Sequence, residues 1–277
     1  MTNLDPKELF NLSGSVAAVT GGGGELCSGM SQALAKAGAR VAVLDIAESS
    51  ALAVAQAIRD SGGQAMGLGC DVTSRASLEE AYAEIHSVFG AIDILVNGAG
   101  GNQAAATTSQ QNPFFDLDLQ AVRRVFELNF IGSFLACQVF GKGMAEAGRG
   151  CIVNIASMNA YRPLTRIPAY SAAKAAVVNF TQWLAVHMAQ EYSSKIRVNA
   201  IAPGFFLTNQ NRYLLIDPNS GQMTPRGQAI LDHTPMRRLG TAADLYGALI
   251  WLCSPAAEFV TGVVVPVDGG FSAYSGV

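Results

Sequence analysis

The sequence predicts an α/β chain built on one parallel sheet with helices on both faces. Three observations carry this. Short β-branched apolar runs alternate with longer helical patterns from end to end, the rhythm of strand–helix–strand crossovers. The runs are nearly all apolar rather than alternating, as strands covered on both faces are. A length of 277 residues, 50% of them hydrophobic, is enough for one large core.

Strands are predicted at 16–19, 40–44, 65–69, 92–96, 151–155, 197–200 and 263–267, and helices at 25–38, 48–61, 75–89, 117–147, 170–192 and 241–253. The first strand, Val16-Ala-Ala-Val-Thr20, runs into glycines 21–24, after which Leu26, Met30, Leu34 and Ala37 recur at helical spacing. The helices at 117–147 and 170–192 are apolar on more than one face. In the second, Val177, Phe180, Leu184 and Met188 can face the sheet, while Val178, Trp183 and Val186 point elsewhere, which suggests a subunit interface. Two segments break the rhythm: the polar loop 101–116, and a long segment at 203–240 carrying Pro203, Pro218, Pro225 and Pro235. Both follow C-terminal strand ends, where open α/β sheets bind ligands. Loops this long are either functional or plain surface elaborations. No repeat or linker divides the chain, so 1–277 is expected to be one domain with a substrate loop at about 203–240.

Composition excludes several classes. A net charge of −3 and a pI near 5.6 argue against a nucleic-acid partner. Residues 1–8 hold two acids and no apolar core, unlike a secretory signal, and no apolar run reaches the roughly 20 residues of a membrane span. A cytoplasmic protein without a membrane partner is expected. Cysteines 27, 70, 137, 151 and 253 are scattered and read as reduced, mostly buried thiols. Cys27, near a helix N-terminus, could instead be reactive. Histidines 86, 187 and 233 form no ligand spacing, so no metal is expected.

The glycine turn aims backbone N–H groups and a helix N-terminus at a pyrophosphate, or is a plain strand–helix connection. Asp45 ends the next strand. Its carboxylate would accept hydrogen bonds from ribose hydroxyls and repel a 2′-phosphate, favouring NAD over NADP; alternatively it caps the following helix. Tyr170 and Lys174 stand one helical turn apart on one face, thirteen residues after Ser157. An ammonium there is expected to lower the phenol from its usual value of about 10, so that the pair can move a proton on and off a carbonyl oxygen.

Taken in order, the turn, Asp45, Asn97-Gly-Ala-Gly100, Ser157 and Tyr170-x-x-x-Lys174 resemble the short-chain dehydrogenase/reductase family from residue 14 to about 272. The resemblance implies a Rossmann fold with a seven-stranded sheet ordered 3-2-1-4-5-6-7, NAD(P)-dependent hydride transfer and a homotetramer. It implies a catalytic set of Asn129, Ser157, Tyr170 and Lys174. Tyr170 would protonate the carbonyl, Ser157 orient it, Lys174 hold the nicotinamide ribose and Asn129 hold a relay water. Cofactor contacts are implied for Gly21, Gly23, Gly24, Leu26, Asp45, Ile46, Asp71, Val72, Asn97, Gly98, Ala99, Gly100, Tyr170, Lys174, Pro203, Gly204 and Phe206. Val267-Asp-Gly-Gly270 matches a signature near the subunit contact.

One departure matters: Glu25 and Cys27 stand where the family turn has its last two glycines, and side chains there should push the backbone from the pyrophosphate. The segments at 112–118, 157–170, 202–212 and 233–236 look like the D-mannonate oxidoreductase (fructuronate reductase) branch. Arginines offer bidentate carboxylate recognition, and Arg162, Arg166 and Arg212 are the candidates, with Asn159, Asn209, Gln210 and Asn211 as amides for sugar hydroxyls. His233 is either a substrate contact or structural. The small-molecule substrate is thus expected to be a sugar acid, with D-fructuronate to D-mannonate as the leading reaction. The alternatives are another sugar, polyol, gluconate-type or 3-oxoacyl substrate, and a non-catalytic nucleotide-binding protein.

Overall fold

The computed structural model describes residues 5–208, 211–218 and 220–276. In chain order its elements begin with α1 (Pro6–Leu9), β1 (Val16–Thr20), α2 (Glu25–Lys36), β2 (Arg40–Asp45), α3 (Glu48–Asp60), β3 (Gln64–Gly69), α4 (Arg75–Phe89) and β4 (Ile94–Asn97). They continue with α5 (Leu119–Phe126), α6 (Gly132–Ala147), β5 (Gly150–Ile155), α7 (Pro168–Glu191), β6 (Ile196–Pro203), α8 (Arg212–Leu215), α9 (Pro225–His233), α10 (Ala243–Cys253) and β7 (Val264–Val267). The sheet has seven strands in the order β3-β2-β1-β4-β5-β6-β7, every neighbouring pair parallel. This is the expected Rossmann-type arrangement, and the predicted strands lie within a few residues of the observed ones.

Strand alternation divides the core in two. Ala17, Val19, Val41 and Val43 face Met30 and Leu34 of α2, Ile58 of α3 and Leu249 of α10. Val16, Ala18, Ala42 and Leu44 face the other way, in the core shared by Leu78 of α4, Phe140 of α6 and Phe180 of α7. Each fully buried large side chain contributes about 1.5–3 kcal/mol. The order reverses at β1, where Thr20 pairs with Asn97 of β4. The two loops leaving these strands therefore run side by side at the crevice where such sheets bind ligands.

Three segments differ from expectation. The predicted helix 117–147 is broken by a π-helical turn, Glu127–Ile131, between α5 and α6. The 101–116 loop contains short 3₁₀ turns at Ala104–Ala106 and Phe114–Asp116. The 203–240 segment folds into α8 and α9. Thr224 caps α9 by accepting a hydrogen bond from Gly227 N, and Pro225 fits its first turn. Among the described residues, no helix is long and apolar enough to cross a membrane.

Candidate active site

The glycine turn closes β1 onto α2. Gly21 has φ +63°, and a Cβ there would lie 2.7 Å from Ala99 Cα, so the turn rests directly on the backbone after β4. Gly98 N and Ala99 N both donate to Thr20 Oγ1, at 3.2 and 3.3 Å. At the far end, Gly23 N donates to Asp45 Oδ2 at 3.0 Å and Ala47 N donates to Asp45 Oδ1 at 2.9 Å. The N-cap of α3 is Ala47, so Asp45 turns the chain rather than capping the helix. Ile46, 77% exposed, stands open beside it. Asp71 holds Thr73 N at 2.9 Å just after β3.

Glu25 and Cys27 part company. Glu25 is exposed in the first turn of α2, while Cys27 is buried. A Cβ on Gly98 would collide with Cys27 Sγ, so the thiol fills the volume that Gly98 leaves free. The side chain predicted to push the turn outward instead packs inward. Burial pushes the Cys27 thiol up to about 12, outweighing the downward pull of Lys174, so this is not an activated thiol. All five cysteines are buried and unbridged.

Tyr170 and Lys174 lie near the start of α7. Lys174 is 4% exposed and donates from Nζ to Ile155 O at 2.8 Å, with Nζ 5.7 Å from the Tyr170 ring centre. Burial lowers its ammonium to about 8. Tyr170 does not follow expectation. Burial raises its phenol above the usual value, and the group that lowers it is the Ser157 hydroxyl. Ser157 precedes a 3₁₀ turn and its Oγ accepts from Asn159 N at 3.2 Å.

Asn129 sits in the π turn with its side chain fully buried. Its Nδ2 donates to Gly101 O at 2.7 Å and Val125 O at 2.8 Å, and its Oδ1 accepts from Gly101 N at 3.1 Å. The amide implied for a relay water is thus taken up in holding the glycine loop. A Cβ on Gly100 would lie 2.7 Å from Asn129 Oδ1 and 3.2 Å from Lys174 Nζ, so only bare backbone separates that loop from the ammonium.

Not every expected contact opens onto this strip. Val72 and Phe206 are core residues, 6% and 4% exposed. Gly204 packs on Asp268, where a Cβ would lie 2.6 Å from its Cα. Arg162 Nε donates to Ser272 O at 3.4 Å, a tie to the C-terminal segment. Arg212 opens α8 in the segment after β6. Asn211 pins its own loop through Phe206 O and Thr208 N. His233 packs between Phe271 and Tyr274, a structural place. Asn209 and Gln210 lie outside the described residues.

Sequence reading missed Asn154 and Thr181. Asn97 Nδ2 donates to Asn154 Oδ1 at 2.9 Å, and Asn154 Nδ2 to Thr181 Oγ1 at 2.9 Å. An asparagine inside the apolar strand Cys-Ile-Val-Asn-Ile was the available signal, since buried amides need partners. Two clefts flank the site without being lined by Tyr170 or Lys174. One, of about 470 Å³, is lined by Thr108, Phe114, Asn159, Arg166 and Ser171 among others; the second, of about 600 Å³, runs along residues 108–111 and shares Phe114 and Arg166.

A dinucleotide fits these residues. Asp45 stands at one end, Lys174 at the other, and glycine backbone with the uncapped N-terminus of α2 lies between them. Comparison with known proteins agrees. The family model described as enoyl-(acyl carrier protein) reductase matches residues 26–272. An uncharacterized oxidoreductase, UxuB, of Bacillus subtilis (strain 168) is 49% identical over 96% of this chain and 98% of its own. The 7alpha-hydroxysteroid dehydrogenase of Escherichia coli (strain K12) is 36% identical over 94% of this chain and 95% of its own. A crystal structure of a candidate D-mannonate oxidoreductase from Haemophilus influenza with bound NAD superposes with a TM-score of 0.91, at 46% identity, covering 99% of this chain and all of that one. The chain belongs to the short-chain dehydrogenase/reductase family, a group of oxidoreductases acting on small molecules with NAD(P).

Proposed function

We propose that this protein transfers hydride reversibly between NAD and the secondary alcohol or ketone of a sugar acid, with D-mannonate and D-fructuronate as the pair. The observation that carries the chemistry is the meeting of Ser157, Tyr170 and Lys174 beside the glycine strip that ends at Asp45. The likeness to the NAD-bound candidate D-mannonate oxidoreductase supports the substrate.

The nicotinamide, when bound, exchanges hydride with the substrate carbon. In the reductive direction the Tyr170 phenol gives its proton to the carbonyl oxygen, and the Ser157 hydroxyl donates a hydrogen bond to that same oxygen as charge develops. The Lys174 ammonium, which at about 8 titrates close to neutrality, returns a proton to the phenolate from solvent. Oxidation runs the same steps backward. Asp45 favours NAD, because its carboxylate would face a 2′-phosphate, and no arginine follows in Ile46-Ala47-Glu48 to neutralise one. The exposed Trp183 and Val186 on α7, 55% and 57% accessible, support a homo-oligomer of the tetrameric kind.

The test is a spectrophotometric assay with NADH and, separately, NADPH against D-fructuronate, other keto sugars, keto acids and acetoacetyl thioesters. Fructuronate-selective oxidation of NADH that is lost in Tyr170→Phe is the expected result. Turnover of other ketones alone would discard the mannonate reading, and cofactor binding without any turnover would favour a non-catalytic protein.

A further inference from the structure

Strands β5, β6 and β7 pair side by side, Ile155 with Ile201 and Pro203 with Val267, so the segments leaving their C-terminal ends begin as neighbours. The first carries Ser157. The second carries Gly204 and Phe205, then α8 and α9. The third is the C-terminal turn after Val267. On the other side of β5 lies β4, with the glycine strip that follows it, so a cofactor on that strip leaves the β6 side of Ser157 for the rest of a substrate. The C-terminal turn has no part in the chemistry derived above, yet it touches both of the other segments.

The turn is fixed from within. Asp268 Oδ1 accepts from Gly270 N at 2.9 Å, and Oδ2 accepts from Ser272 N at 2.8 Å. Gly269 and Gly270 have φ +64° and +87°, which bends the chain against the end of α9. A Cβ on Gly269 would meet Thr234 Cγ2 at 2.9 Å, one on Gly270 would meet Pro235 Cγ at 3.1 Å, and Met236 N donates to Gly269 O at 3.1 Å. Phe271, 9% exposed, joins two segments. Its ring meets Phe205 edge-on with centroids 5.1 Å apart, and His233, the last residue of α9, at 4.7 Å. Tyr274 packs on the same imidazole at 5.1 Å. Gly204 rests directly on Asp268. On the Ser157 side, Ser272 O accepts from Arg162 Nε at 3.4 Å, and Arg162 N donates to Met158 O, inside the 3₁₀ turn that Ser157 opens. A connection as long as that between β6 and α10 is ordered only by contacts that repay its entropy, and aromatic contacts of this geometry are directional.

We propose that the C-terminal turn, residues 268–274, is a clasp that sets where α9 stands relative to Ser157, and that Phe271 is its positioning residue for ketone binding. The inference rests on the hydride-transfer reading above and not on the choice of a sugar acid. Phe271 touches neither substrate nor cofactor in this role. It acts through Phe205 and His233, which hold the β6 side of the substrate space, while the cofactor strip on the β4 side is untouched.

The test takes the full chain with NADH and reads two quantities. In Phe271→Ala, amide hydrogen exchange over residues 225–236 is expected to quicken about tenfold, and to stay unchanged across β1 and α2. The KM for D-fructuronate, or for whichever ketone the protein reduces, should rise about tenfold, with kcat falling less and NADH affinity held within about twofold. Phe271→Tyr, which keeps the ring, should restore both. Tyr274→Ala, at a less buried position, should move both in the same direction by about threefold and serves where Phe271→Ala does not fold. Unchanged exchange over 225–236 in both alanine variants would overturn the clasp whatever the substrate. Faster exchange with an unchanged ketone KM, or with NADH affinity lost in step, would overturn the positioning role and leave Phe271 a packing residue. Faster exchange in a protein that reduces no ketone would keep the clasp and discard the reaction.

Discussion

Replacing Lys174 by methionine tests whether this ammonium is held against its own desolvation. Burial lowers it from 10.5 to about 8. Between those values the unfolded chain still binds a proton that the folded chain has released, so stability rises with pH across that window. The whole drop from 10.5 to about 8 corresponds to about 3.4 kcal/mol at most. Integrating the proton difference from pH 7 to pH 9 gives about 1.3 kcal/mol of stability gained by the wild type. Buried thiols act in the opposite sense. Cys27 and Cys137 rise from 9.0 to about 12, so their contribution is complete below pH 9 and is lost as pH climbs toward 12. Cys137 is common to both proteins, and Cys27, which loses the downward pull of Lys174 in the variant, stays protonated in both folded proteins up to pH 9, so neither alters the difference.

The assay is urea unfolding of wild type and Lys174→Met at pH 7 and pH 9, without cofactor. Between the two pH values the wild type should gain about 1.3 kcal/mol relative to the variant. A difference that stays constant within about 0.3 kcal/mol, below the usual additivity error, would refute the reasoning. It would mean that the bond to Ile155 O offsets the burial of the charge, leaving Lys174 a normal lysine.

Other expectations follow from the glycine strip and its ends. Gly98→Ala should cost about 1–3 kcal/mol by overpacking, and Cys27→Ala should remove part of that cost, because the Cys27 Cβ would then sit 3.6 Å from the new methyl while Thr20 O remains at 2.9 Å; additive denaturation energies in the double variant would refute the exchange of volume. Gly100→Ala pushes a methyl toward Asn129 Oδ1 and Lys174 Nζ and should weaken NADH binding about tenfold, roughly 1.4 kcal/mol, as fluorescence titration would measure; an unchanged affinity would show that cofactor does not pass there. Asp45→Ala should shift the NADH-to-NADPH preference toward NADPH about tenfold, and an unaltered ratio of kcat/KM values would remove Asp45 from cofactor selection.

Much of the fold was legible because apolar strands and periodic helices carry their own signal. The strands at Val16–Thr20, Arg40–Asp45 and Ile196–Pro203 needed only the run of buried residues. The site was legible where spacing fixes a shared helix face, as at Tyr170 and Lys174. What stayed hidden depends on three-dimensional neighbours. The direction of Cys27 could not be read without Gly98 across the crevice, nor the bond of Lys174 to Ile155 O, nor the burial of Tyr170 that raises its phenol where lowering was expected. The π turn leaves no periodicity of its own, and α9 announced itself only through Thr224-Pro225, a capping signal inside a segment read as loop.

The missed asparagine and threonine explain how α7 is positioned. Thr181 Oγ1 accepts from Asn154 Nδ2 and donates to Val177 O at 2.8 Å, while Asn154 in turn accepts from Asn97, the residue that starts the glycine strip after β4. One residue beyond Asn154, the carbonyl of Ile155 holds Lys174. The helix is thus tied to the sheet at two points two turns apart, through a buried chain that also fixes the cofactor-side strand. Apolar packing alone would allow the helix to slide or rotate, whereas directional bonds in a low-dielectric core permit one register. Truncating Thr181 would leave the Asn154 amide unsatisfied, at about 1–3 kcal/mol. It would also loosen the face that carries Tyr170, so Thr181→Val should lower kcat more than it raises the KM for NADH, and a loss confined to thermal stability would limit this chain to holding the core.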